Sequence, residues 1–83
     1  MSGLNVVVVA AKGIVFEGSA HSVIVPGKNG ILGIYPGHTK LMSLLKAGNI
    51  EIRKGKESVE EIPIASGLVQ INRESIDILI NEK

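Results

Sequence analysis

Short runs of valine and isoleucine, cut apart by ten glycines and three prolines, fill this 83-residue chain and argue for strands. Leu4 to Val9 is a near-continuous apolar run, as a strand packed on both faces would be. Lys12-Gly13 reads as a turn into Ile14-Val15-Phe16-Glu17, closed by Gly18. His21 to Val25 follows, with His21, Val23 and Val25 on one face and Ser22 and Ile24 on the other. Pro26 to Gly30 holds two turn signals, and Asn29-Gly30 is a favoured hairpin pair. Ile31 to Tyr35 continues as strand, with Gly33 marking a bulge or a close backbone approach. Pro36-Gly37 breaks it. From Thr39 to Lys46 the spacing of Leu41, Leu44 and Leu45 leaves a helical turn and an irregular strand both open. Asn49 to Lys54 alternates cleanly, and Lys54-Gly55-Lys56 reads as a hairpin tip. Glu57 to Ile64 forms a strand whose Pro63 end belongs at a sheet edge. Ser66-Gly67 reads as a turn into Leu68-Val69-Gln70-Ile71, Asn72-Arg73-Glu74 as another, and Ser75 to Ile80 as the last strand. Eight or nine short strands with nothing of helical length between them predict one all-β domain over residues 1–83, an antiparallel β-sandwich without long parallel crossovers.

Composition narrows the functions open to such a domain. Hydrophobic residues make up 45% and charged residues 20%, which excludes a disordered segment. Nine basic against eight acidic residues give a net charge of +1 and no electrostatic case for nucleic acid. Cysteine is absent, so disulfides, thiolate catalysis and Cys-based zinc sites are excluded. The run Val6 to Ala11 is far shorter than the about 20 residues that span a bilayer, and no basic segment precedes it. The chain reads as soluble and cytoplasmic, or as the soluble part of something larger.

Chemistry-bearing groups are sparse. His21, His38 and Asp77 supply pieces of a triad, but no G-x-S-x-G elbow presents a serine. Glu60 and Glu61 are strand neighbours and point to opposite faces. Gly27, Gly30 and Gly33 do not form a dinucleotide fingerprint, and Gly55-Lys56 lacks the rest of a P-loop. Two histidines are too few for a metal site. Phe16 and Tyr35 are too few for a base-stacking platform, and Phe16 suits the core. These residues predict no catalytic site, no cofactor and no metal, which leaves surface for function.

One stretch is highly particular, running from Gly30-Ile31-Leu32-Gly33-Ile34-Tyr35-Pro36-Gly37-His38 through Thr39-Lys40-Leu41-Met42-Ser43-Leu44-Leu45-Lys46-Ala47-Gly48. It resembles the G-E-L-G-I-Y-P-G-H-A-P-L-L-T-x-L-K-P-G signature of the epsilon subunit of F-type ATP synthases, called delta in mitochondria. Val15-Phe16-Glu17-Gly18 resembles the family's V-F-x-G, and Ser22 to Gly27 its S-V-x-V-P-G. Ile50 to Arg53, Ala65 to Ile71 and Ile76 to Ile80 fall where the later strands belong.

This resemblance implies a flattened sandwich of about ten strands and a non-catalytic rotor subunit of the central stalk. Such a subunit is clamped to the gamma subunit, rests on the c-ring, and couples ring rotation to the gamma shaft during proton-driven ATP synthesis. It also implies a peripheral place on the cytoplasmic face of an energy-transducing membrane, without bilayer insertion. By the same resemblance Gly30, Ile31, Leu32, Tyr35, Pro36, Gly37 and His38 face the c-ring, and Leu41, Met42 and Ser43 face gamma. Three departures matter: Ile31 stands where an acidic residue is frequent, Thr39-Lys40 replaces Ala-Pro, and Ala47 and Leu68 replace a Pro and a Gly. In most of the family a helical hairpin with inhibition and nucleotide binding follows the last strand. With the sequence stopping at Asn81-Glu82-Lys83, either the subunit is of the short type or the sequence is a piece of a longer one, and this stretch is expected to lack both functions. On the residues alone His38 also suits the turn carbonyls after Gly37, Tyr35 a core edge, and Leu41 and Met42 sandwich filler. The alternative reading is a biotinyl- or lipoyl-like swinging-arm carrier, although Lys40-Leu41-Met42 lacks the flanks of a modified lysine.

Overall fold

Alternating β-branched side chains build eight strands in the computed structural model, which describes residues 3–37, 40–55, 58–73 and 75–83. They are β1 (Leu4–Ala10), β2 (Gly13–Ala20), β3 (Ser22–Gly27), β4 (Gly30–Ile34), β5 (Leu41–Leu45), β6 (Gly48–Arg53), β7 (Val59–Asn72) and β8 (Ser75–Glu82). Hydrogen bonding runs in the order β2-β1-β8-β7-β5-β3-β4, and β6 pairs with both β3 and β7. One layer therefore holds β2, β1, β8, the second half of β7 and β5. The other holds β4, β3, β6 and the first half of β7.

The inner faces of both layers meet in one core. Leu4, Val6 and Val8 of β1 and Ile76 and Ile78 of β8 join Val23 and Val25 of β3 and Ile50 and Ile52 of β6, all essentially sealed from solvent. Each such side chain contributes on the order of 1.5–3 kcal/mol through burial. In β8 the inward isoleucines alternate with exposed Ser75, Asp77 and Leu79, so the strand is one-sided.

The structure corrects the sequence reading in four places. First, β1 and β8 run parallel, with Val6 opposite Ile76 and Val8 opposite Ile78. A parallel pair needs a long crossover, and here the intervening sandwich itself supplies it without any helix. Second, Ser66-Gly67 is no turn: β7 runs unbroken through it. Its pairing with β8 shifts register between Ile64 and Ser66. Inward positions accordingly change from even (Ile62, Ile64) to odd (Val69, Ile71), so one strand serves both layers. Third, the segment left open between helix and strand contains β5, which pairs antiparallel with β7 from Leu41 opposite Ile71 to Leu45 opposite Gly67. Fourth, eight strands are present among the described residues, within the eight or nine read from the residues but short of the about ten implied by the resemblance, since β7 takes the place of two.

The β3–β4 turn also shifts by one residue, to Lys28-Asn29, with Gly27 opposite Gly30. Gly30 adopts φ +139°, and a Cβ on Gly27 would stand 2.5 Å from the Gly30 carbonyl oxygen. Backbone cannot yield there as a flexible side chain would. Gly27→Ala is expected to lower stability by about 2 kcal/mol, read from the midpoint of urea unfolding. A midpoint unchanged from the parent would show that the hairpin tolerates a side chain at this position.

Candidate functional site

The hairpin tip at Lys28-Asn29 leaves Ile31 81% exposed, while Leu32 packs partly against the core. β4 then carries the chain over roughly 17 Å to Tyr35, at a rise of about 3.4 Å per residue. Gly30 and Ile31 therefore lie at one end of this edge strand, and Tyr35, Pro36 and Gly37 at the other. The six described residues expected to face the c-ring do not form one tip. Tyr35 is half exposed, and a Cβ on Gly33 would come within 3.3 Å of its ring. The β3–β4 pairing passes through Ile24 opposite Gly33 without a register shift. Gly33 is thus no bulge, and what comes close to it is the Tyr35 ring, not a neighbouring backbone. His38 lies outside the described residues.

Strand pleating divides Leu41, Met42 and Ser43 as well. Leu41 and Ser43 lie opposite Ile71 and Val69, which are buried, so both take the inward phase of β5, although Leu41 is itself exposed and Ser43 only half-buried. Met42 lies opposite Gln70 and points outward with Leu44. Met42 and Leu44 are 59% and 54% exposed.

Following Leu44 across the sheet reveals a feature invisible in the linear sequence. Leu44 of β5 lies opposite Leu68 of β7, Leu68 opposite Leu79 of β8, Leu79 opposite Val9 of β1, and Val9 opposite Ile14 of β2. The outer face therefore carries an unbroken apolar row across five strands, about 19 Å long at the usual strand spacing. Leu44, Leu79 and Ile14 are exposed, and Leu68 and Val9 are half-buried. One step along the strands the next row is mixed, with Gln70, Asp77 and Glu17 interleaved with Met42 and Val7. A lone exposed leucine means little, but a contiguous stripe on one face is a surface suited to a partner.

Elsewhere the chemistry is that of a solvated surface. His21 is exposed, and its backbone N–H donates to the carbonyl of Arg53. Glu60 accepts from Lys54, Glu51 from Arg53, and Glu61 from Asn49. Lys54 also stands 5.7 Å from the centre of the Phe16 ring, linking β2 to the β6–β7 hairpin. Among the described residues no three His, Asp or Glu side chains are grouped to hold a metal, and no helix is long and apolar enough to cross a membrane.

A sequence model of the family described as ATP synthase, Delta/Epsilon chain, beta-sandwich domain matches residues 3–82. The chain belongs to this family. The ATP synthase epsilon chain of Bordetella avium is 39% identical over 79 residues, covering 95% of this chain and 56% of that protein. That of Leptospira interrogans is 41% identical over 76 residues, covering 92% and 59%. The chain thus spans little more than half the length of these epsilon relatives. Among solved structures, the Euglena gracilis mitochondrial ATP synthase (OSCP/F1/c-ring) contains a chain superposing with a TM-score of 0.91. Identity there is 15%, with 99% of this chain and 52% of that chain covered. The central stalk and c-ring of Tetrahymena thermophila mitochondrial ATP synthase gives a TM-score of 0.80 at 13% identity, covering 95% and 63%. Such identities speak for the fold. Of the five-strand row, the resemblance to the family signature touches Leu44, inside the quoted stretch, and Leu68, a departure from Gly, and it gives neither a contact.

Proposed function

We propose that this chain is the β-sandwich of an epsilon-type rotor subunit, a non-catalytic part of an F-type ATP synthase. It docks on the gamma subunit, rests against the c-ring, and transmits ring rotation to the gamma shaft during proton-driven ATP synthesis. Its place is then peripheral, on the cytoplasmic face of the energy-transducing membrane. The observation that carries this reading is the apolar row from Leu44 to Ile14, set on a hydrogen-bonded sandwich whose layers share β7. A coupling element needs a rigid body and an adhesive face. The row provides an outward face that an adjoining subunit would desolvate.

The c-ring assignment keeps two contact points, Ile31 at one end of β4 and Tyr35 to Gly37 at the other. Ile31 offers apolar contact where the family signature frequently has an acidic residue. Lys40, which a swinging-arm carrier would modify, immediately precedes β5 in the connection from β4 and is not part of a two-residue hairpin tip.

Mixed at micromolar concentration with purified gamma, the protein is expected to elute from gel filtration as one complex. Two separate peaks would overturn the reading. Met42→Glu introduces a charge at the edge of the face and is expected to weaken that complex by about 2 kcal/mol. An unchanged affinity would place Met42 outside the contact.

A further inference from the structure

At one end of the apolar row the surface dips into an open groove of about 630 Å³. Leu44, Leu68 and Leu79 line it, and Lys28 and Lys46 stand among the other lining residues. Lys28 lies in the β3–β4 turn and Lys46 in the β5–β6 connection, yet the backbone holds them together. Lys28 N–H donates to the Leu44 carbonyl and Lys46 N–H to the Pro26 carbonyl, each at 2.9 Å. Gly27 also pairs with Leu45, so the β3–β4 turn is tied to the end of β5.

The charge at this groove is one-sided. No carboxylate lines it among the described residues. The ion pairs found among those residues join Lys12 to Glu82, Arg53 to Glu51 and Lys54 to Glu60, and neither groove lysine takes part. The whole chain is nearly neutral, so this local excess does not reflect general basicity. Across the row, Asp77 and Glu17 lie on the opposite flank, facing Val7 from either side. The apolar stripe thus separates a cationic margin from an anionic one.

Resting on the gamma-docking reading above, we propose that the groove receives an apolar segment of gamma flanked by carboxylates on the side facing Lys28 and Lys46. Apolar contact supplies adhesion, and the lysines supply orientation. Turning the segment end for end would set its carboxylates against Asp77 and Glu17. Exposed rim charges of this kind act chiefly on the association rate and lose their effect in salt.

The test is the association rate with purified gamma, measured by stopped flow at ~50 mM and ~500 mM salt, where screening lengths differ about threefold. Lys28→Glu and Lys46→Glu are each expected to slow association at low salt by roughly threefold or more, with the difference collapsing at high salt. Arg73→Glu makes the same charge change in the β7–β8 turn, away from the groove, and is expected to match the parent. The backbone bonds at Lys28 and Lys46 do not depend on their side chains, so both variants retain the turn geometry. Parent-like rates in both lysine variants, or an equal slowing in Arg73→Glu, would overturn the groove assignment while leaving gamma docking intact. A parent protein that fails to bind gamma would overturn the docking reading, and this inference with it.

Discussion

Leu79→Glu is expected to weaken the complex with gamma by about 2–4 kcal/mol, roughly 30- to 1000-fold in dissociation constant, while leaving the fold intact. Leu79 is the middle member of the five-strand row, with Leu68 on one side and Val9 on the other. A partner covering the row must desolvate whatever stands there, and a carboxylate between two apolar neighbours finds no counter-charge along the stripe. In the free protein the same side chain is 53% exposed, so the glutamate stays hydrated and the core is untouched. Calorimetric titration against gamma gives the affinity, and a thermal melt of the variant alone gives the stability. An affinity within twofold of the parent would remove the row from the interface. A melting temperature that falls together with affinity would assign Leu79 to stability instead.

Ile78→Ala is expected to cost about 2–5 kcal/mol of folding free energy, the largest loss from any single truncation proposed for this chain. Ile78 is fully buried and sits between Val8 of β1 and Val69 of β7, at the seam where the parallel and antiparallel pairings meet. Strands on both sides hold the backbone apart, so the vacated space cannot collapse readily. A chain of 83 residues has on the order of 4–12 kcal/mol of stability in all, so the variant risks being partly unfolded at room temperature. Ile78→Val, which removes one methylene, is expected to cost about 0.5–1.5 kcal/mol and keeps the comparison measurable. Urea unfolding of the two variants checks the ordering. A cost below about 1 kcal/mol for alanine would mean that the β1–β8 seam repacks freely.

The strands were legible wherever isoleucine or valine alternates with a polar residue. Ile50 and Ile52, or Ile76, Ile78 and Ile80, announce both the element and its buried face. Pro63 was legible too: it is exposed and pairs only with Asn49 of β6, since β8 joins β7 from Ile64 onward. The continuity of β7 through its register shift at Ala65 was not, because Ser66-Gly67 carries the local chemistry of a turn while tertiary pairing on both sides holds it extended. The parallel seam was equally hidden. Nothing local in Val6 or Ile76 distinguishes a parallel neighbour from an antiparallel one.

The docking face shows the same division. Met42 and Ile31 could be singled out from a motif, but a motif is a stretch of chain and the pleat distributes such a stretch over two faces. Leu44, Leu68, Leu79, Val9 and Ile14 lie on five different strands, and only the register aligns them. A faint signal existed in Leu79, an apolar residue at the outward phase of an otherwise polar-outward strand, where Ser75, Asp77 and Asn81 are its companions. One such exception identifies a candidate; the row requires the sheet.

The parallel seam also sets an order of events during synthesis. A nascent chain leaving the ribosome can close the β1–β2 hairpin early, yet the other edge of β1 must wait for Ser75 to Leu79, about 70 residues later. Until then Val6 and Val8 stand beside an open backbone edge that invites pairing with any other unfinished strand. Translation must run through Leu79 of β8 before that edge is sealed, so β1 keeps one unpaired side for nearly the whole passage from β2 to β8.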